Sequence, residues 1–323
     1  HEIDNKKHYE YVTNILLKRI EKKENSIYLE NLKDIICNSM NISADRINKI
    51  YPIGGMTNNN YKIEIDNKYY VLRVPGKGTE DMISREDEIK NAIYADEIGI
   101  NCRVVYFNKE SGVKISKFIE NAQTLSPEST KSQNNMIMVC EILKKLHNYD
   151  KKMSNNFNIY GKIEQYEKLA KEVNAIFFDD YYEVKNKVLY LKNIMDKLDV
   201  KLVPCHNDTI AENFIKSGED KMYLIDWEYA GLNYAANDIA CITCRYDWSE
   251  KQIDKYFEAY MGRKLTDDEK RFYWAFHCIC AFYWFCWGLY KGSVGDDDGF
   301  FFLPAYRNFT KYIDRALNSY EVK

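Results

Sequence analysis

Hydrophobic and polar positions along the chain divide it into a strand-rich stretch followed by a helix-rich one. Val12, Ile15, Leu16 and Ile20 recur at helical spacing among lysines and glutamates, which predicts a helix over 7–23, with a second over 29–40. Alternation then takes over. Tyr61-Lys62-Ile63-Glu64-Ile65 and Tyr69-Tyr70-Val71-Leu72-Arg73-Val74 read as strands, the second ended by Pro75-Gly76. Arg85 opens a helix that runs to about Glu97 and closes at Gly99, and 102–107 and 113–120 form a hairpin-like pair. Beyond that the period is helical, over 134–147, 166–173, 181–198, 247–260 and 267–289. The change of period puts a lobe boundary at 117–123.

One short alternating pattern interrupts the helical half. Phe214-Ile215 and Met222-Tyr223-Leu224-Ile225 flank the turn-rich Ser217-Gly218-Glu219-Asp220, which predicts a β-hairpin. Asn213 and Asp226 flank the two strands, so they are expected to return opposite each other, about 5 Å apart. A carboxylate and an amide oxygen facing one point suit Mg²⁺, which takes hard oxygen donors. Asp208 sits on the loop entering the hairpin. This order matches the phosphoryl-transfer template, in which an Asp accepts the acceptor hydroxyl proton while an Asn and a second Asp hold metal against phosphates. His206 reads as a structural group that orients the loop, and His147 as a buried structural group on its helix.

A second informative segment is Ile53-Gly54-Gly55-Met56-Thr57-Asn58, read as the loop of a strand–loop–strand unit. Glycines there let backbone N–H groups approach a phosphate, and Thr57 and Asn58 add donors. Neither the G-K-[ST] ending of a P-loop nor a G-x-G-x-x-G fingerprint is present.

Together, His206-x-Asp208-x4-Asn213 and Ile225-Asp226-Trp227-Glu228-Tyr229-Ala230-Gly231 resemble the choline kinase branch of the aminoglycoside phosphotransferase-like kinases, especially the bacterial LicA-type choline kinases. The resemblance implies a protein kinase-like two-lobed α+β fold. A small lobe over 1–118 would carry a five-stranded antiparallel sheet behind the N-terminal helices, and a large helical lobe over 119–323 the catalytic loop and acceptor pocket. It implies ATP and Mg²⁺, and phosphorylation of the choline hydroxyl. Gly55, Thr57 and Asn58 match the nucleotide loop, Arg73 the phosphate-binding cation, and Glu88 the helix glutamate that would aim Arg73. Lys117, Phe118 and Ile119 are the hinge candidates for adenine. Asp208 would be the base, Asn213 and Asp226 the metal ligands, and Asn237-Asp238-Ile239-Ala240 the element bracing the catalytic loop.

Choline carries a quaternary ammonium that donates no hydrogen bond, so aromatic faces must hold it. Trp284 and Trp287, three apart on one helix face, answer that need, with Tyr229 as a further wall, Glu228 as a nearby carboxylate, and Phe301 in the aromatic run after the helix. There is one departure. Where the resemblance implies an acid after the Asn237-Asp238-Ile239-Ala240 helix the chain has Arg245, and Lys291 follows the tryptophans. Either would oppose a cation pocket if it pointed inward.

Composition narrows the partners. A formal charge of -3 and a pI of about 6.1 give no overall attraction to nucleic acid or anionic lipid. No uninterrupted apolar run reaches membrane-spanning length, so no membrane partner is expected. The chain opens on His1 without a charged-then-apolar leader, and its nine cysteines are an odd, scattered set, which together read as cytoplasmic. Cys241-x-x-Cys244 and Cys278-x-Cys280 lie in apolar helical surroundings and read as small hydrophobes ahead of a zinc site. Two other functions compete with a choline kinase: a kinase for ethanolamine, another amino alcohol or an aminoglycoside, and a non-catalytic kinase-like binding module. The complete Asp208, Asn213 and Asp226 set weighs against the latter.

Overall fold

The computed structural model describes residues 17–54, 58–76, 83–295 and 302–321, so Gly55, Thr57 and Phe301 lie outside the described residues. Two compact units form, one from residues 1–79 and 104–118, the other from 80–103 and 119–323.

The smaller unit is built on a five-stranded antiparallel sheet of β1 (Ile47–Gly54), β2 (Asn58–Ile65), β3 (Lys68–Pro75), β4 (Val104–Phe107) and β5 (Lys114–Lys117), in the order β1-β2-β3-β5-β4. Alternation along β2 turns Tyr61, Ile63 and Ile65 to one face, as the period of two requires. Helix α1 (Leu17–Met40) covers that face, packing Leu32 and Ile36 against them and against Leu72 and Ile115. The two helices expected before residue 40 are one in the region described: α1 runs unbroken through Glu24-Asn25-Ser26, where a break was expected. Those residues have modest rather than prohibitive helix propensity, and no proline or glycine interrupts them.

Helices dominate the larger unit: α2 (Arg85–Glu97), α3 (Gln133–His147), α4 (Ile159–Glu172), α5 (Tyr181–Met195), α6 (Ala235–Cys244), α7 (Glu250–Met261), α8 (Asp267–Ser293) and α9 (Phe302–Glu321). Two small sheets sit among them, β6 (Ala122–Thr124) with β8 (Phe214–Ser217) and β9 (Lys221–Leu224), and β7 (Val203–Cys205) with β10 (Gly231–Asn233). Ser84, Ser132, Asn158, Ser249 and Thr266 cap their helices through their side chains, the last two in full capping boxes.

The core of this unit is α8. By length and composition it would cross a membrane, yet 94% of its apolar window is buried inside the protein. Its Phe282 ring packs 5.3 Å from Phe309 of α9 and 5.7 Å from Tyr181 of α5. Helix α9 was not read from the sequence, although Ala305, Phe309, Tyr312, Ile313 and Ala316 recur at helical spacing and are all buried. Cys241, Cys244, Cys278 and Cys280 are buried, and burial pushes the thiols of Cys278 and Cys280 above their usual range.

If α8 is the core helix of a water-soluble fold, Phe282→Ala should cost about 3–5 kcal/mol in urea unfolding. Unchanged stability would contradict the packing described.

Candidate active site

The catalytic loop hangs on a buried carboxylate. Asp238, in the first turns of α6, accepts the His206 backbone N–H at 2.9 Å on Oδ2 and the Asn207 N–H at 2.7 Å on Oδ1. His147 Nε2 of α3 lies 2.9 Å from the same Oδ2, and its Nδ1 lies 2.7 Å from the Tyr260 hydroxyl of α7. Thr209 Oγ1 donates to the Asp238 carbonyl. The backbone N–H groups of His206 and Asn207 are thereby satisfied without water.

His206 joins this loop to the next. Its Nδ1 accepts the Asp208 N–H at 3.3 Å, which leaves Nε2 to donate to the Ile225 carbonyl at 2.9 Å. Burial lowers its pKa, so the neutral form that this pattern needs is favoured. Asn207 completes the tie. Held at φ 66°, it donates from Nδ2 to the carbonyls of Tyr229 (3.1 Å) and Gly231 (3.3 Å), and its Oδ1 accepts from Asn233 and Asn237.

Asn213 Nδ2 donates to the Asp208 carbonyl at 2.7 Å and to Asp208 Oδ2 at 3.1 Å, so its amide oxygen is outside that pair of bonds. Asp208 Oδ1 is buried and has no hydrogen-bond partner among the described residues. Burial, offset in part by Arg245 and reinforced by Asp226, pushes the Asp208 carboxyl up to about 7.

The hairpin register differs from the sequence expectation. Ser217 pairs with Lys221, so the loop is the three residues 218–220, with Gly218 at φ 64°. Asn213 therefore stands opposite Ile225, whose N–H donates to the Asn213 carbonyl at 3.0 Å, and Asp226 lies one residue beyond. Asp226 takes φ 70°, ψ 71°, a left-handed conformation that is costly outside glycine and recurs at functional sites.

That turn gathers Asp226, Glu228 and Glu88 of α2, whose carboxylates each place an oxygen within 4.8 Å of the others. Arg85 Nη1 lies 3.0 Å from Glu88 Oε2 and 3.8 Å from Glu228 Oε2. Asn91 and Asn155 both donate to the Ala230 carbonyl, at 2.8 and 2.7 Å. Gly231 is required by close approach, since a Cβ there would lie 2.8 Å from Asn155 Nδ2 and 3.1 Å from the Phe157 backbone nitrogen.

The aromatic residues expected at an acceptor site do cluster. Trp284 makes edge contacts with Tyr229, centroids 6.4 Å apart, and with Trp287 at 5.7 Å. Both tryptophans also carry a buried cation. Arg245 Cζ lies 4.4 Å from the Trp284 centroid and Lys291 Nζ 6.0 Å from that of Trp287.

In the smaller unit, Arg73 and Asn58 are buried on β3 and β2. Arg73 Nη2 donates to the Gly112 carbonyl at 3.2 Å, and its Cζ lies 6.0 Å from the Phe107 centroid. Lys117 pairs with Tyr70, and the Phe118 N–H donates to the Tyr69 carbonyl at 3.1 Å. Ile119 begins the next segment of the larger unit.

Sequence reasoning missed Asn207, Asn233, Asn91, Asn155 and Arg85. For Asn207 and Asn233 the signal available was their place in or beside the two motifs, but asparagine is as common in turns as in networks. Because Asp238 is the shared acceptor, Asp238→Ala should lower unfolding free energy by about 3 kcal/mol or more. Retained stability in chemical denaturation would remove it as the brace.

Comparison with known proteins agrees with this geometry. The sequence pattern of the choline/ethanolamine kinase family matches residues 50–273. Protein LicA of Haemophilus influenzae is 31% identical over 253 residues, covering 76% of this chain and 74% of its own. The crystal structure of choline kinase LicA from Streptococcus pneumoniae superposes with a TM-score of 0.75 at 28% identity, over 88% of this chain and 99% of that one. A crystal structure of LicA in complex with AMP gives 0.72 at 27% identity, over 88% and 98%. With its kinase-like α+β architecture, the chain belongs to the choline/ethanolamine kinase family, whose members are phosphotransferases.

Proposed function

We propose that this protein transfers the γ-phosphoryl group of ATP to the hydroxyl of a small amino alcohol, choline or ethanolamine. The observation behind this reading is the Asp208 carboxylate, held through Asn213 and the His206 loop with one oxygen left without a hydrogen bond. That oxygen is available to accept an alcohol proton.

The residues fit a divalent cation. The Asn213 amide oxygen and the Asp226 carboxylate are hard oxygen donors, and the carboxylates of Glu228 and Glu88, paired with Arg85, place oxygens within 4.8 Å of that of Asp226. We assign Asn213 and Asp226 to hold it. The chemistry that Mg²⁺ would supply there is neutralisation of the phosphate charge. Arg73, Asn58, Gly55 and Thr57 are the groups we assign to the nucleotide phosphates, and Lys117, Phe118 and Ile119 to the adenine. The AMP bound by the LicA relative supports a nucleotide of this type.

In the reaction, the alcohol oxygen forms a bond to the γ-phosphorus as the bond to the β–γ bridging oxygen breaks. The hydroxyl proton passes to Asp208, and ADP leaves with the bridging electrons. Little covalent chemistry is asked of the protein. Positioning the hydroxyl and holding the base account for most of the benefit.

Choline is favoured by the Tyr229, Trp284 and Trp287 cluster and by the similarity to LicA proteins. Ethanolamine is favoured by the cations on those tryptophans and by Glu228, since a primary ammonium needs oxygen acceptors.

In an ADP-release assay, choline or ethanolamine should support turnover, and Asp208→Asn should lower kcat by about 10²–10⁴. Undiminished turnover in the variant would remove Asp208 as the base. With that carboxyl at about 7, kcat/KM for the acceptor should fall tenfold per unit as pH drops below about 7, because only the ionised form accepts the proton. A flat profile from pH 5 to 8 would contradict it.

A further inference from the structure

The tryptophans that would stack against an acceptor's ammonium already carry protein cations. Arg245 is 6% exposed and Lys291 is 6% exposed, so neither charge is diluted in solvent. The Arg245 guanidinium, 4.4 Å from the Trp284 centroid, is well within cation–π range, while Lys291 at 6.0 Å sits at its limit. Burial works against the Arg245 charge, but Asp208 and the neighbouring Tyr246, Cys241 and Cys244 more than offset it, so Arg245 stays a cation. A ring face holding one cation repels a second, because two like charges at contact distance in a buried site are weakly screened.

We propose that Arg245 is a specificity-determining residue of the acceptor site: its guanidinium occupies the Trp284 face and selects against quaternary ammonium alcohols, in favour of alcohols whose polar end is a primary ammonium or uncharged. This rests on the phosphotransferase reading above. A primary ammonium donates hydrogen bonds and so can be held by oxygen acceptors without using the ring. A trimethylammonium has no such recourse, since it donates no hydrogen bond.

The test compares choline with 3,3-dimethylbutan-1-ol, an uncharged isostere of the same shape, and with ethanolamine. It is run at pH 8.5, where Asp208 is ionised. Binding is followed by tryptophan fluorescence and turnover by ADP release. In the native protein the isostere should bind at least as tightly as choline, and ethanolamine should have the highest kcat/KM. Arg245→Gln should tighten choline binding at least tenfold, leave the isostere within threefold and leave the ATP KM unchanged, while Arg245→Lys should keep the native order. Choline binding tenfold tighter than the isostere in the native protein would overturn the proposal without any variant. So would an Arg245→Gln protein with the native choline-to-isostere ratio. Binding without turnover of any of the three alcohols would instead defeat the phosphotransferase reading, and the binding ratio would still decide the role of Arg245.

Discussion

Asp238 imposes the constraint on which the rest of the site depends. A carboxylate with both oxygens turned to backbone N–H groups of the catalytic loop can exist at zero exposure only because those donors, and His147, answer its charge. In return it fixes the backbone of His206 and Asn207. From His206 the constraint passes to Ile225 and so to the turn of Asp226, and from Asn207 to the carbonyls of Tyr229 and Gly231. One buried acid thus couples the loop of Asp208 to the turn that carries Asp226, Glu228 and Tyr229.

Within that frame the electrostatics are set in opposition. Burial and Asp226 raise the proton affinity of Asp208, while Arg245 and the Asn213 amide lower it. The outcome near neutrality suits a group that must take a proton and later give it up. Arg245 links this balance to the acceptor, since the same guanidinium lies on the Trp284 ring. Asp208 and Asn213 are tied by hydrogen bonds, whereas Trp284 is shared between aromatic edge contacts and charge.

Much of the fold was legible because its periodicities are local. The alternation in β2 and β3, the helical spacing in α3 and the caps at Ser84 and Thr266 each follow from neighbouring residues. The hairpin between Asn213 and Asp226 was legible too, but its register was not. Pairing of Phe214 with Leu224 puts Asp226 one place past Asn213's partner, and Asp226 itself takes a left-handed backbone there. Asn207 and Arg85 were illegible for another reason. Their partners, Gly231 and Glu228, are distant in sequence for one and on a different element for the other, and no spacing rule brings them together. Arg245 stood out against the family resemblance, but its place on Trp284 needed the packing of α6 against α8.

The central claim is that this braced constellation moves a phosphoryl group from ATP to an alcohol oxygen. Following ATP with choline or ethanolamine by ³¹P NMR in the presence of Mg²⁺ tests it most directly. The account predicts a new phosphomonoester resonance that grows in step with the ADP signals and requires the alcohol. Stable ATP, or release of inorganic phosphate with no phosphomonoester, would contradict it.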